Sequence, residues 1–158
     1  MLVFQSAPLD YDVEVTGPSV IKLWISSSAP DTDFTAKLID VYPPNEDYPQ
    51  GYALNLTDSI LRARYRNNRR QGELMEPGAV YQLEISLYPT SNLFKNGHRI
   101  RLDIASSNFP RFDVNPNTGE PIGLNRLTVV AKNTVYHDRN HPSHVVLPII
   151  SVKERSDR

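Results

Sequence analysis

VIKLWISSS, residues Val20–Ser28, decides the fold, because it puts Ile21, Leu23 and Ile25 on one side of an extended chain. Successive strand side chains point to opposite faces, so this alternation marks a half-buried strand with one apolar face. The pattern recurs in Tyr81, Leu83, Ile85 and Leu87 against Gln82, Glu84 and Ser86, and in Ile100, Leu102 and Ile104 against Arg101 and Asp103. Weaker candidates are Val13–Thr16, Phe34–Val41, Ile60–Arg66, Leu127–Tyr136 and His144–Ile150. Turn signals separate them at Gly17-Pro18, Pro43-Pro44, Glu76-Pro77-Gly78 and Asn96-Gly97. No segment sustains a helical period, and thirteen prolines would break most helices. Eight or nine one-sided strands predict an all-β, mostly antiparallel sandwich or barrel. The long loops favour a jelly-roll β-sandwich over an up-and-down meander.

At 158 residues the chain suits one domain. A domain near this size buries roughly 68–70% of its unfolded surface, enough for a core without staples. The expected division is a single sandwich over residues 1–151 and a polar tail, KERSDR with Val152, over 152–158. Leu2, Val3 and Phe4 form an apolar run directly after Met1, whereas free termini are usually polar and frayed. The expectation is a domain whose leading strands lie earlier in a longer chain, and which therefore self-associates into a homo-oligomer through its open edge.

Composition narrows the function. There are no cysteines, which excludes a disulfide framework and a cysteine zinc site. The net charge of −1 offers no field for nucleic acid or an anionic membrane. No run of about 18 apolar residues exists to span a bilayer. MLVFQSAPLD lacks the charged and apolar regions of a signal peptide, which favours a cytoplasmic segment without fixing the compartment.

The stretch after the Ile104 strand, SSNFPRFDVNPNTGE (Ser106–Glu120), is long and aperiodic. Loops of this length in compact domains are usually functional or disordered. Phe109, Phe112 and Val114 argue for order. Phe109 and Phe112 beside Arg111 and Asp113 combine aromatic anchors with charge, as interface hot spots do.

Catalytic motifs are missing. No GxSxG nucleophile elbow and no phosphate-binding glycine loop occurs. The carboxylate pairs Asp31/Asp33 and Glu46/Asp47 read as solvated turns or Asx caps, with calcium at Asp31 and Asp33 the lesser reading. His137, His141 and His144 lie close together with Asp138, but Pro142 forbids the helix that would align them, so turn hydrogen bonds outweigh zinc. Arg62, Arg64 and Arg66 alternate opposite Leu61, Ala63 and Tyr65. They read as a solvated face paired with acidic residues on neighbouring strands, or as a docking surface.

Four blocks in order carry a resemblance: SSSAPDTDFTAKLIDVYP (Ser26–Pro43), LRARYR (Leu61–Arg66), GHRIRLDIASSNFPRFDVNPNTG (Gly97–Gly119) and HPSHVVLPII (His141–Ile150). From about Val13 to Ile150 the chain resembles the C-terminal β-sandwich domain of the cocaine esterase and X-Pro dipeptidyl-peptidase family of serine hydrolases. The resemblance implies a galactose-binding-like jelly roll. It also implies a Ser-His-Asp triad in an α/β-hydrolase domain of the same polypeptide. No triad position falls in this chain. The expectation is a non-catalytic domain without cofactor or metal that packs on that catalytic domain and helps shape its pocket. Its interface candidates are Phe109, Arg111, Phe112, Asp113, Arg62, Arg64 and Arg66. A carbohydrate-binding module using Trp24 and the tyrosines, or a protein-interaction module using the arginines, are the alternatives.

Overall fold

The computed structural model describes residues 1–124 and 126–150. Among these described residues eleven strands follow in chain order: β1 (Leu2–Gln5), β2 (Val13–Gly17), β3 (Val20–Ser27), β4 (Asp33–Tyr42), β5 (Tyr52–Arg62), β6 (Tyr81–Ser86), β7 (Thr90–Phe94), β8 (Arg99–Ala105), β9 (Asn133–Tyr136), β10 (His144–Val146) and β11 (Ile149–Ile150). A single 3₁₀ turn, Ala63–Tyr65, follows β5, and no α-helix occurs among the described residues. The fold is all-β, and its strand pairs run antiparallel.

Three sheets form. The first has the order β1-β8-β4-β5, and the third β11-β2-β7. In the second, β6 flanks β3 on one side, while β10 and β9 share its other side in succession. Where the ladder passes from β10 to β9, the Trp24 N–H donates to Ser143 Oγ at 2.8 Å.

The alternation read from the sequence builds the core. Ile21 and Leu23 of β3 stand in register with Ile85 and Leu83 of β6. Ala36 and Leu38 of β4 stand in register with Ile104 and Leu102 of β8. These side chains, with Ile25, Phe34, Val13, Val15 and Phe94, form one buried cluster to which all three sheets contribute. The opposite face of the first sheet is charged. Asp103, Lys37 and Asp58 lie side by side across β8, β4 and β5. A bulge at Leu38/Ile39 then shifts the β4–β5 register.

The structure departs from the sequence reading in four places. The Ile60–Arg66 strand begins at Tyr52 instead and stops at Arg62. Its first half alternates Tyr52, Leu54 and Leu56 with Ala53 and Asn55, but it lies at a sheet edge where these side chains are only exposed or half-buried. β7 was not anticipated, since only Phe94 of its five residues is buried. Leu127–Tyr136 is extended and paired only from Asn133, with Val129 and Val130 left exposed. His144–Ile150 splits into two strands that pair with different sheets, β10 with β3 and β11 with β2. The polar tail 152–158 lies outside the described residues.

Candidate docking face and its buried ionic cluster

Asp31 and Asp33 lead into β4, and both are buried, at 0% and 1% exposure. This corrects their reading as solvated turn residues. A buried carboxylate is tolerated only when paired and hydrogen-bonded, and each has an arginine. Arg62, directly opposite Asp33 in the β4–β5 ladder, donates Nε to Oδ1 at 2.9 Å and Nη2 to Oδ2 at 3.1 Å. The Arg62 guanidinium is thereby held above its ordinary pKa, chiefly by the Asp33 hydrogen bond, while burial opposes the shift.

The chain then leaves strand geometry. Ala63 N–H donates to Thr32 O at 2.8 Å and opens the 3₁₀ turn. The turn swings Arg64 inward, where its backbone N–H reaches Asp31 Oδ1 at 3.0 Å and its Nε reaches Oδ2 at 2.8 Å. Arg66 pairs with Glu73 at 3.1 Å and lies 4.4 Å from the centre of the Tyr81 ring. The three arginines are therefore not one alternating solvated face. Arg62 keeps the cross-strand pairing expected of it, but the turn after it sends Arg64 and Arg66 to different partners.

The segment after β8 closes over this cluster. Asn115, only 3% exposed, donates Nδ2 to Asp31 Oδ2 at 2.9 Å and to Asp33 Oδ1 at 2.8 Å. Nearer β8, Asn108 donates to Asp58 Oδ2 at 3.0 Å, and Arg111 pairs with Asp58 Oδ1 at 3.1 Å. The Arg111 guanidinium sits 5.7 Å from the centre of the half-buried Phe112 ring. Asp113 is exposed. Phe109, at 69% exposure, does not fill the core. Beyond Asn115 the chain doubles back: Val129 N–H donates to Pro116 O at 3.0 Å, and Asn117 Nδ2 to Val129 O at 2.8 Å. The enclosed segment exposes Ile122, Leu124 and Leu127, with Val130 just outside it, and Phe109 and Val114 earlier in the same connection are exposed as well. A cleft of about 500 Å³ separates it from β5, lined by Ile60, Arg62, Tyr65, Phe112, Asp113 and Ile122 among others.

Ser106 Oγ accepts from Asn133 Nδ2 at 2.8 Å, and Ser107 Oγ accepts from the Phe109 N–H at 3.3 Å. Among the described residues no serine hydroxyl bonds to a histidine, the pairing that activates a serine nucleophile. His141 Nδ1 lies 3.3 Å from Asp138 Oδ2, and His144 Nδ1 donates to Pro142 O at 2.7 Å. The Asp138 carboxyl is held below its usual value, first by the Asn140 N–H and then by that of His141.

Two features escaped the sequence reading. His98 is buried, with Nδ1 2.9 Å from Asp40 Oδ1, and Asn92 donates to the other Asp40 oxygen at 3.1 Å. Asn115 is the second. Its partners lie more than eighty positions earlier in the chain, so no local signal could reveal them.

Comparison with known proteins agrees with the missing catalytic apparatus. Residues 1–146 match the family model described as the X-Pro dipeptidyl-peptidase C-terminal non-catalytic domain. Over 152 residues the chain is 45% identical to the cocaine esterase of Rhodococcus sp. (strain MB1 Bresler), covering 95% of this chain and 25% of that protein. Its fold matches a selenomethionine-labelled alpha-amino acid ester hydrolase with a TM-score of 0.88 at 30% identity, over 94% of this chain and 25% of that one. It also matches an aminopeptidase from the marine sediment archaeon Thaumarchaeota archaeon with a TM-score of 0.85 at 33% identity, over 95% of this chain and 26% of that one. The chain thus spans about a quarter of the length of these relatives. On the strength of a match across nearly all of its residues, it belongs to the family of X-Pro dipeptidyl-peptidase C-terminal non-catalytic domains.

Proposed function

We propose that this domain docks on the α/β-hydrolase catalytic domain of its own polypeptide and helps to shape the substrate pocket there. The parent reaction is hydrolysis of an ester, amide or prolyl-peptide bond through an acyl-enzyme. One observation carries the reading. Phe109, Val114, Ile122, Leu124, Leu127 and Val130 are all exposed along a single segment of the chain. A concentration of exposed apolar side chains with charges beside them supports an interaction site. Arg111 and Asp113 supply those charges, with Phe109 and Phe112 as anchors. The relatives' greater length, about four times that of the matched region, supports a partner within the same polypeptide. We read the three sheets as a jelly roll over residues 1–151.

Leu124→Asp and Leu127→Asp test this in the longer polypeptide. They are expected to lower ester hydrolysis severalfold and to free the domain for proteolytic release, while the folded domain persists. Unchanged activity and docking in both variants would overturn the reading. The carbohydrate-binding alternative has less support, because the Trp24 ring packs edge-on against His141 at 5.3 Å. The sugar-dependent rise in melting temperature that it requires is not expected.

A further inference from the structure

We propose that Asn115 is a positioning residue, whose amide locks the connection after β8, from Ser106 to Leu124 and again at Val129, in one shape so that its apolar side chains meet the hydrolase domain ready-made. The proposal rests on the docking role above and adds the device that makes docking specific.

The geometry is that of a lock. An amide nitrogen carries two hydrogens, and here one goes to each buried carboxylate, Asp31 and Asp33. The amide oxygen accepts the Asn117 N–H at 2.9 Å. Rotating the amide by half a turn would aim that oxygen at two carboxylates, so only one orientation is tolerated. The charges are already balanced without it. Asp31 answers Arg64 and Asp33 answers Arg62. A neutral double donor completes such a cluster, whereas a third carboxylate would have no cation left.

The same ion pairs hold the segment a second time. Arg64 donates both Nη1 and Nη2 to Glu120 O at 3.1 Å. Between these two grips Asn117 and Gly119 take φ values of 64° and 77°. A Cβ at Gly119 would come within 3.1 Å of Leu74 Cδ1 and 3.3 Å of Pro30 Cγ. The backbone therefore runs close to the domain at this point and must turn left-handed there. Binding through an unconstrained loop pays the ordering entropy at the moment of contact. A loop already fixed by buried charge-assisted hydrogen bonds has met that cost during folding.

Hydrogen exchange on the chain, resolved by residue, separates a lock from simple packing. Asn115→Asp keeps the size and adds charge, while Asn115→Ala removes size without charge. The lock requires Asp to be the worse substitution, and packing alone requires Ala to be worse. The Asn117 and Val129 amides should exchange about tenfold faster or more in Asn115→Asp, given the strength of hydrogen bonds to charged groups. Exchange of the core amides of Leu83 and Ile104 should stay near that of the unaltered chain in Asn115→Ala. Unchanged loop exchange in both variants, a greater effect of Ala than of Asp, or a uniform rise in core and loop amides in Asn115→Ala would each overturn the lock. Ester hydrolysis by the longer polypeptide isolates the docking reading. A loosened loop with undiminished kcat/KM in Asn115→Ala would leave the lock standing and remove the role it serves.

Discussion

At the scale of the residue, this domain separates aromatics that hold the fold from aromatics that face outward. Phe34, 1% exposed, stands in the core, whereas Phe109 is 69% exposed. Burial removes apolar area from water and close packing fills the space, so truncating a core phenylalanine loses both contributions. Phe34→Ala is expected to destabilise the chain by about 3–5 kcal/mol. Phe109→Ala should stay within about 0.5 kcal/mol, as surface substitutions do. Urea denaturation of the two variants measures both. A large loss from Phe109→Ala would show that this ring serves its own domain and no interface. The buried charges follow the same distinction of surroundings. Asp31 and Asp33 look like ordinary turn carboxylates in sequence, and only their arginine and amide partners make burial tolerable.

At the scale of the element, the strands with one apolar and one polar face were the legible ones. β3, β6 and β8 bury Ile21, Leu23, Ile25, Leu83, Ile85, Leu102 and Ile104, the residues whose alternation marked them. Edge strands were harder to read. β7 is paired on one side and lacks a continuous apolar face, so its extended form comes from its ladder partner, whereas the first half of β5 does alternate Tyr52, Leu54 and Leu56 with Ala53 and Asn55 but leaves them exposed or half-buried at a sheet edge. β1 is also an edge strand. It pairs with β8 alone among the described residues, and its Leu2, Val3 and Phe4 are 44%, 49% and 39% exposed. A strand edge beside exposed apolar side chains is a template for another copy. Light scattering of the chain is expected to show a mass that rises with concentration toward about millimolar, where weak interfaces populate. Val3→Lys should suppress that rise. A strict monomer throughout would remove β1 as an association edge.

At the scale of the whole molecule, three sheets share one core, and the segment between β8 and β9 lies across the β4–β5 end of it. The chain alone is expected to show no turnover of p-nitrophenyl esters or an Xaa-Pro anilide. Turnover abolished by Ser106→Ala or Ser107→Ala would reveal a nucleophile. The all-β class, the alternating core strands, the want of a nucleophile motif and the family are legible from residue order, because each is written in local periodicity or contiguous words. Only the tertiary structure decided that Arg62, Arg64 and Arg66 part company, that Asp31 and Asp33 are buried, and that Asn115 joins them. It also decided that Phe109, Val114, Ile122, Leu124, Leu127 and Val130 are exposed. The physical reason is distance along the chain. Charge pairing and burial depend on which residues meet in space, and those carrying this site are brought together from positions 31, 62, 115 and 129.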